Sequence, residues 1–335
     1  MPKHFHAAMA ALFLGLAFLA GGCGKPSPKT DAAKSTETGG GPVKPASVAS
    51  SGLPNGMRVL FSPKDSGGKD LARAKLMGVG AQGKIIIIED SDQRKAMYWY
   101  SADGDLLRTW DSLVYGPNKY TFFFPFNLAV DGSGNIYLCD QGFYWVNKFD
   151  PEGAFIKTVA GRSVPESGIM TPGNVNLDKD GKVYVTQGES TKIHRYLPDG
   201  TPDGIVETAL GEQPSHKGIA DVAVDGDGNF HVLSSDADML LSFDREGKFL
   251  RAWKTNASFS VECGAGGSIY LAGGYGIQKY DSGGKLLAEW KTGDDAPAFS
   301  VCSIGVDPKG GLLILDQVMD FSTTTFKPSR VLHVE

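Results

Sequence analysis

The sequence predicts an all-β fold, a six-bladed propeller, on three observations. First, the 335-residue chain is 41% hydrophobic, carries 44 glycines and shows no long stretch of helical period. Second, a four-strand unit spelled out between Pro125 and Gly161 recurs at a spacing of roughly 39 to 51 residues, the period of a propeller blade. Third, the last copy lacks its outer strand while one apolar strand stands ahead of the first copy, so the two ends can complete each other.

The repeating unit reads PFNLAVDGSGNIYLCDQGFYWVNKFDPEGAFIKTVAG. A short apolar strand, 128–130, ends in the polar turn 131–134. An alternating strand follows over 135–140, a third over 146–150, then the turn 151–153 and an outer strand over 154–159. Such a unit leaves two edges open and must pack against copies of itself. Gly134 marks the first turn, and its equivalents are Gly83, Gly181, Gly228, Gly267 and Gly310. The second hairpin recurs as SADGDLLRTW, DPEGAFIKTV, LPDGTPDGIV, DREGKFLRAW and DSGGKLLAEW, its glycine supplying the positive φ of a tight turn. Trp110, Trp253 and Trp290 share one outer-strand position, as expected for packing between blades. The sixth copy has LLILDQ and one more strand, Arg330 to Val334; the segment 57–62, MRVLFS, is expected to be its missing outer strand.

Residues 1–22 have a basic start at Lys3, an apolar run over 7–20 and small residues before Cys23. A run of about 14 residues suits a secretory signal and is short for a membrane span. Residues 23–52 are rich in Gly, Pro, Ser, Thr, Ala and Lys and cannot bury enough surface to fold, so a flexible linker is expected. The propeller is then 53–335. The formal charge of −5 divides into about +1 on the leader, +2 on the linker and −8 on the body. With no basic stripe, that balance argues against a nucleic-acid partner. Cys139, Cys263 and Cys302 fall within strand patterns and are expected to be packing residues; three cysteines allow at most one disulfide among them.

An apolar strand, Asp-x-x-Gly-Asn, an alternating strand and Phe-Asp-x-x-Gly-x-Phe, carried here by 128–140 and 149–155, resemble the NHL-repeat class of propellers over nearly the whole body. That class includes interaction modules, sensors and a few enzymes, so the resemblance implies a fold more than a function. Leu19-Ala20-Gly21-Gly22-Cys23 resembles the bacterial lipobox, with the leucine one place further from the cysteine than usual. This implies a lipoprotein acylated at Cys23, with palmitate for example, and held at the cell envelope on its periplasmic or surface side. An ordinary signal peptide cut nearby is the other reading of those residues.

In a propeller, the loops entering the inner strands share a face with the loops between second and third strands, and ligands usually bind there. The segment 111–124, DSLVYGPNKYTFFF, brings Tyr115, Tyr120, Phe122, Phe123 and Phe124 to that face, where Phe143, Tyr144, Tyr275, Phe321 and Phe326 are also expected. The run is either a packing plug or a recognition surface, with Tyr120, Phe123 and Tyr144 the candidates for contact. Four residues before each turn Asp, at the channel mouth, stand Asn127, Asn174 and Asp221; Ser260 and Ser303 hold the place in later blades and Leu76 in the first. Five oxygen-bearing side chains on one axis could hold a hard cation such as Ca²⁺, or line a wet channel. Asn174 and Asp221, with Asn127 more loosely, resemble the metal site of the gluconolactonase and regucalcin family, which implies a divalent-metal-dependent hydrolase or lyase. The glutamate that family draws from another inner strand has no clear counterpart in this pattern. Peptide α-amidating lyases are also similar in fold, but His194, His216, His231 and His333 do not fall at positions suited to their three-histidine zinc site. The chain has no GxSxG elbow and no HExxH. The expected function is a lipid-anchored extracytoplasmic propeller binding a cell-envelope protein, peptide or glycan, with the metal-dependent enzyme as the alternative.

Overall fold

Alternating apolar strands separated by Asp and Gly turns satisfy their backbone groups most simply as antiparallel meanders, and each of the six repeats does so. The computed structural model describes residues 53–334 apart from 72, 92–93, 111–112, 116–117, 121–122, 189, 209–216, 237, 257, 293–298 and 321–324. The chain divides into a unit over Met1–Gly41, outside the described residues together with Cys23 and the rest of the predicted linker, and a unit over Pro42–Glu335 that holds everything below. Among the described residues no helix is long and apolar enough to cross a membrane.

Blade 1 runs Ala74–Val79, Ile85–Asp90, Lys95–Tyr100, Leu106–Trp110, and blade 2 runs Pro125–Val130, Ile136–Asp140, Trp145–Phe149, Phe155–Gly161. Blade 3 is Pro172–Leu177, Val183–Gln187, Lys192–Tyr196, Pro202–Glu207; blade 4 is Ile219–Val224, Phe230–Ser234, Met239–Phe243, Phe249–Lys254. Blade 5 is Ser258–Cys263, Ile269–Gly273, Gly276–Tyr280, Leu286–Lys291. Blade 6 takes Val301–Val306, Leu312–Asp316 and Arg330–Val334 from the end of the chain and Met57–Phe61 from its start. Met57 lies opposite Val334 and Val59 opposite Leu332, so the two ends close the ring as the sequence predicts. The first strands of successive blades touch in an unbroken circle around the axis.

The apolar residues that alternate along the strands meet between blades. One cluster joins Met77, Ile87 and Tyr98 of blade 1 to Leu315 and Val331 of blade 6. Another joins Ile86 and Trp99 to Leu128, Ile136 and Phe149 of blade 2, and four more fill the remaining interfaces. Trp110 packs 6.4 Å from Trp99 and against Gly153 of blade 2, and Trp290 donates from Nε1 to Asn55 O at 3.2 Å, so the tryptophan stripe is interfacial. Cys139 is buried, its thiol 3.0 Å from Gly173 O, and Cys139, Cys263 and Cys302 are all unpaired as disulfides. Burial raises their thiols, that of Cys302 to about 12, so none is a ready nucleophile.

The molecule has two unlike faces. One carries the tight turns: Asp131 Oδ1 accepts the Ser133 and Asn135 N–H groups at 2.9 and 2.8 Å, and the same bonds recur at Asp178, Asp225 and Asp307. The opposite, loop face carries the longer connections. Two of these contain small hairpins, Leu113–Tyr115 with Asn118–Tyr120, and Met319–Asp320 with Thr325–Phe326, where the sequence predicts plain loop.

Candidate functional site

Eight aromatic side chains stand exposed among the described residues: Phe123, Phe124, Phe126, Phe143, Tyr144, Phe259, Tyr275 and Phe326. All eight belong to loop-face connections or to the first residues of inner strands next to them. The exposed large aliphatics Leu107, Ile156, Ile205, Leu250, Leu286 and Leu287 lie instead on outer strands. Of the residues expected on this face, Phe122 and Phe321 lie outside the described set. Tyr120 is placed only by its backbone, in the small hairpin.

The densest group sits on blades 1 and 2 and is organised by a carboxylate. Asp140, fully buried at the end of its strand, accepts the Phe123 N–H on Oδ2 at 2.9 Å. Its Oδ1 accepts those of Phe124, Gly142 and Phe143 at 3.0, 2.9 and 3.3 Å. Two loops distant in sequence are thus tied to one side chain. A Cβ at Gly142 would overlap the Phe123 ring, so only glycine lets that ring lie where it does. Phe123 and Phe143 are 5.6 Å apart by centroid, and Phe143 is 5.0 Å from Trp145. Tyr144 adopts φ 58°, a left-handed conformation that costs a bulky residue about 1–2 kcal/mol. Its carbonyl accepts the Arg162 N–H at 3.1 Å, and the Arg162 guanidinium lies 3.9 Å from its ring centroid.

Cations border this group. Lys75 Nζ is 4.2 Å from the Phe124 centroid and 3.3 Å from Asp90 Oδ2, while Lys95 pairs with the other oxygen of Asp90 and donates to Phe123 O at 3.3 Å. Desolvation holds the Lys75 ammonium below its ordinary pKa, opposed by Asp90 and reinforced by Lys95. Arg73 lies 5.6 Å from the Phe326 ring.

The channel-mouth ring is present, but its side chains turn sideways. In every blade the pairing of first and second strands slips just before or at the ring position, between Ala74 and Leu76, Pro125 and Asn127, Pro172 and Val175, Ile219 and Asp221, Ser258 and Ser260, and Val301 and Ser303. Such a bulge re-aims the residue that follows it. Asn127 Oδ1 accepts the Val175 N–H of blade 3 at 2.9 Å, and Asn174 Nδ2 donates to Ala220 O of blade 4 at 2.6 Å. Asp221 Oδ2 accepts Val261 N–H and Ser260 Oγ–H of blade 5, both at 3.0 Å. Ser303 Oγ bonds both Met77 N and Met77 O of blade 1, at 3.2 and 3.3 Å. Four blade-to-blade seams are thus stitched by ring side chains. Leu76 instead packs in the apolar seam toward blade 2.

One further acid lies on an inner strand and was not among the residues singled out by spacing. Glu262, on the inner strand of blade 5, has its carboxyl pushed up to about 8, by desolvation first and by Asp221 second. Desolvation likewise raises Asp221 to about 6 against three hydrogen bonds that oppose it. No salt bridge to either acid occurs among the described residues. As a test of the implied cation, Asp221 and Glu262 supply two neighbouring acids, but Asp221 already accepts from Val222, Ser260 and Val261, Asn174 donates to Ala220 O, and Ser303 bonds Met77, so the ring side chains are engaged with their neighbours. No group of three His, Cys, Asp or Glu converges among the described residues. His231 and His333 are paired with Asp225 and Asp307 on the turn side, and His216 lies outside the described residues.

No family model matches the chain, and no curated protein matches it by sequence. Solved structures match its fold. A gluconolactonase from Xanthomonas campestris is similar with a TM-score of 0.56 and 15% identity, over 83% of this chain and 89% of that one. A structural-genomics protein named as a candidate gluconolactonase gives 0.53 and 15%, over 84% and 93%. Virginiamycin B lyase from Staphylococcus aureus gives 0.50 and 13%, over 77% and 84%. The likeness is one of fold, a six-bladed propeller.

Proposed function

We propose that this protein is a binding propeller whose recognition surface is the loop face over blades 1 and 2, held at the cell envelope by acyl chains on Cys23. The observation that carries the reading is the sorting of every exposed aromatic among the described residues to one face. A soluble body gains nothing from exposing such rings together unless they meet a partner. Burying Asp140 to hold Phe123, Phe124 and Phe143 in place is the mark of a pre-ordered surface. The test is a photo-crosslinking residue placed at Phe124 and, as control, at Lys285 in a turn-face hairpin, in cells. Adducts at Phe124 alone support the face; equal adducts at both positions, or adducts at Lys285 alone, reject it. For the anchor, Cys23→Ser should move the protein from the membrane to the soluble fraction and abolish acyl labelling.

A second reading, a divalent-metal-dependent hydrolase or lyase, is favoured by the Asp221 and Glu262 pair, two neighbouring desolvated acids on inner strands with no basic side chain paired to either among the described residues. A divalent ion held by Asp221 and Glu262 would polarise a carbonyl or activate water. The fold shared with gluconolactonases is consistent with it. Stoichiometric Ca²⁺ or another divalent ion in purified protein, lost in Asp221→Ala together with lactone hydrolysis, is the expected result; metal-free protein whose melting ignores added divalent ions would remove this reading.

A further inference from the structure

We infer that the occupant of the loop face is a protein segment presenting large apolar side chains flanked by carboxylates, seated across blades 1 and 2. This rests on the reading of that face as the binding surface and adds the chemistry of what it binds.

Two features select a peptide over a glycan. The surface is built mainly of phenylalanine, which offers an apolar face and no hydrogen-bonding edge: Phe123, Phe124, Phe126 and Phe143 in blade 2. The carboxylates that could read sugar hydroxyls are already engaged. Asp140 is buried under four backbone N–H groups, and Asp90 is shared by Lys75 and Lys95. A ligand covered in hydroxyls would find few acceptors here, whereas Leu or Phe side chains would bury apolar area against the rings.

Charge selects the flanks. Arg73 and Arg162 are exposed, each lies over an aromatic ring, and neither has a carboxylate partner among the described residues. Lys75 and Lys95 share Asp90, and Lys75 also feels the Asp140 carboxylate, so the surplus positive charge of the patch is that of Arg73 and Arg162. The surplus stands on a body whose formal charge is negative, which makes the patch a local exception. Laid along the rings, the side chains keep their stems on apolar surface and their heads in water, ready to meet carboxylates at the rim. Rigid loops, fixed by Asp140 and by the Tyr144 carbonyl, lower the entropy lost on docking.

The experiment is a display selection of random peptides of about twelve residues on the purified full-length protein, followed by anisotropy titration of synthetic copies of the winners. The expected winners combine Phe, Leu or Trp with Asp and Glu in excess over Lys and Arg. They should lose about tenfold or more in affinity for Arg73→Glu/Arg162→Glu, and about tenfold or more for Phe123→Ala/Phe124→Ala. Binding should also weaken several-fold between about 50 and about 300 mM salt. Winners that are basic or neutral, or an unchanged affinity in the arginine variant, overturn the peptide chemistry while leaving the face intact if the phenylalanine variant still fails. Binding by neutral oligosaccharides with no peptide enrichment overturns it in the same way. Winners that bind the phenylalanine variant as well as wild type overturn the face itself. Gly142→Ala, which displaces the Phe123 ring without deleting it, replaces the double variant if that one melts early.

Discussion

Glu262 stands two residues beyond the ring position of blade 5, where the other blades carry Gly78, Ala129, Asn176, Ala223 and Gly305. Small residues suit that place because the next blade comes close: a Cβ at Gly78 would meet Val130 at 2.8 Å, and one at Gly305 would meet Val79 at 2.7 Å. A charged side chain there breaks the pattern and was legible in the sequence as the one carboxylate in a column of Gly, Ala and Asn. It escapes a reading that counts oxygens at the ring position alone. Its effect on stability has a definite sign. With the folded carboxyl near 8 against an ordinary 4.5, the folded protein keeps a proton that the unfolded chain releases, so metal-free stability falls as pH rises between those values and levels off above the upper one. Melting in chelator should therefore drop by about 5 °C or more between about pH 5 and about pH 9, and Glu262→Gln should flatten much of that drop. Parallel profiles for the two proteins would show that Glu262 ionises freely in the folded state. Asp140 makes the converse case. It carries no surface exposure, and Asp140→Ala should lose on the order of 4 kcal/mol, read by denaturant titration, because four N–H groups lose their acceptor at once. A loss below about 1 kcal/mol would mean that water reaches those groups.

Each second hairpin presses its glycine on the outer strand of the blade before it. Gly104 meets Phe61, Gly153 meets Trp110, Gly247 meets Val206 and Gly284 meets Trp253. The turn therefore does two tasks, reversing the chain and seating the next blade. At Gly284 a side chain would need φ +87° and would stand 2.9 Å from Trp253, so Gly284→Ala should cost about 2–4 kcal/mol by thermal or denaturant unfolding. An unchanged midpoint would show that the hairpin can swing away. The turn end of each blade was readable because its chemistry repeats: an Asp or equivalent and a glycine at fixed offsets. The loop end was not. Blade 2 starts at Pro125 instead of 128, because Pro125 still pairs with Asp140 across a bulge, and a bulge leaves no residue signature. The same bulges turned Asn127, Asn174, Asp221 and Ser303 from the axis toward their neighbours. Ring membership could be counted from spacing, whereas side-chain direction could not. Asp140 was hidden for a related reason: two of its four partners, Phe123 and Phe124, come from a preceding loop whose approach no local pattern records.

The whole ring depends on one seam made by both ends of the chain. Among the described residues Met57–Phe61 pairs only with Arg330–Val334, and between them Val331, Leu332 and Val334 reach into the clusters toward both blade 1 and blade 5. Both ends of the seam lie on the turn face, since Met57 opposes Val334, so the chain enters the propeller on the side away from the exposed aromatic rings. The missing outer strand made this closure visible in the sequence, and it is open to a direct test in two directions. Removing 330–335 should unpair Leu312–Asp316 and Met57–Phe61 together, exposing two strand edges, and should abolish cooperative unfolding and soluble yield. Linking the seam covalently by Val59→Cys with Leu332→Cys, residues directly opposed, should raise the melting temperature by about 5 °C or more under oxidising conditions, with the gain lost on reduction. If the truncated chain melts like the full one, the ring is held by the blade interfaces alone. If it fails to fold and the linked chain gains nothing, the seam is required for assembly but opens only after the rest has unfolded.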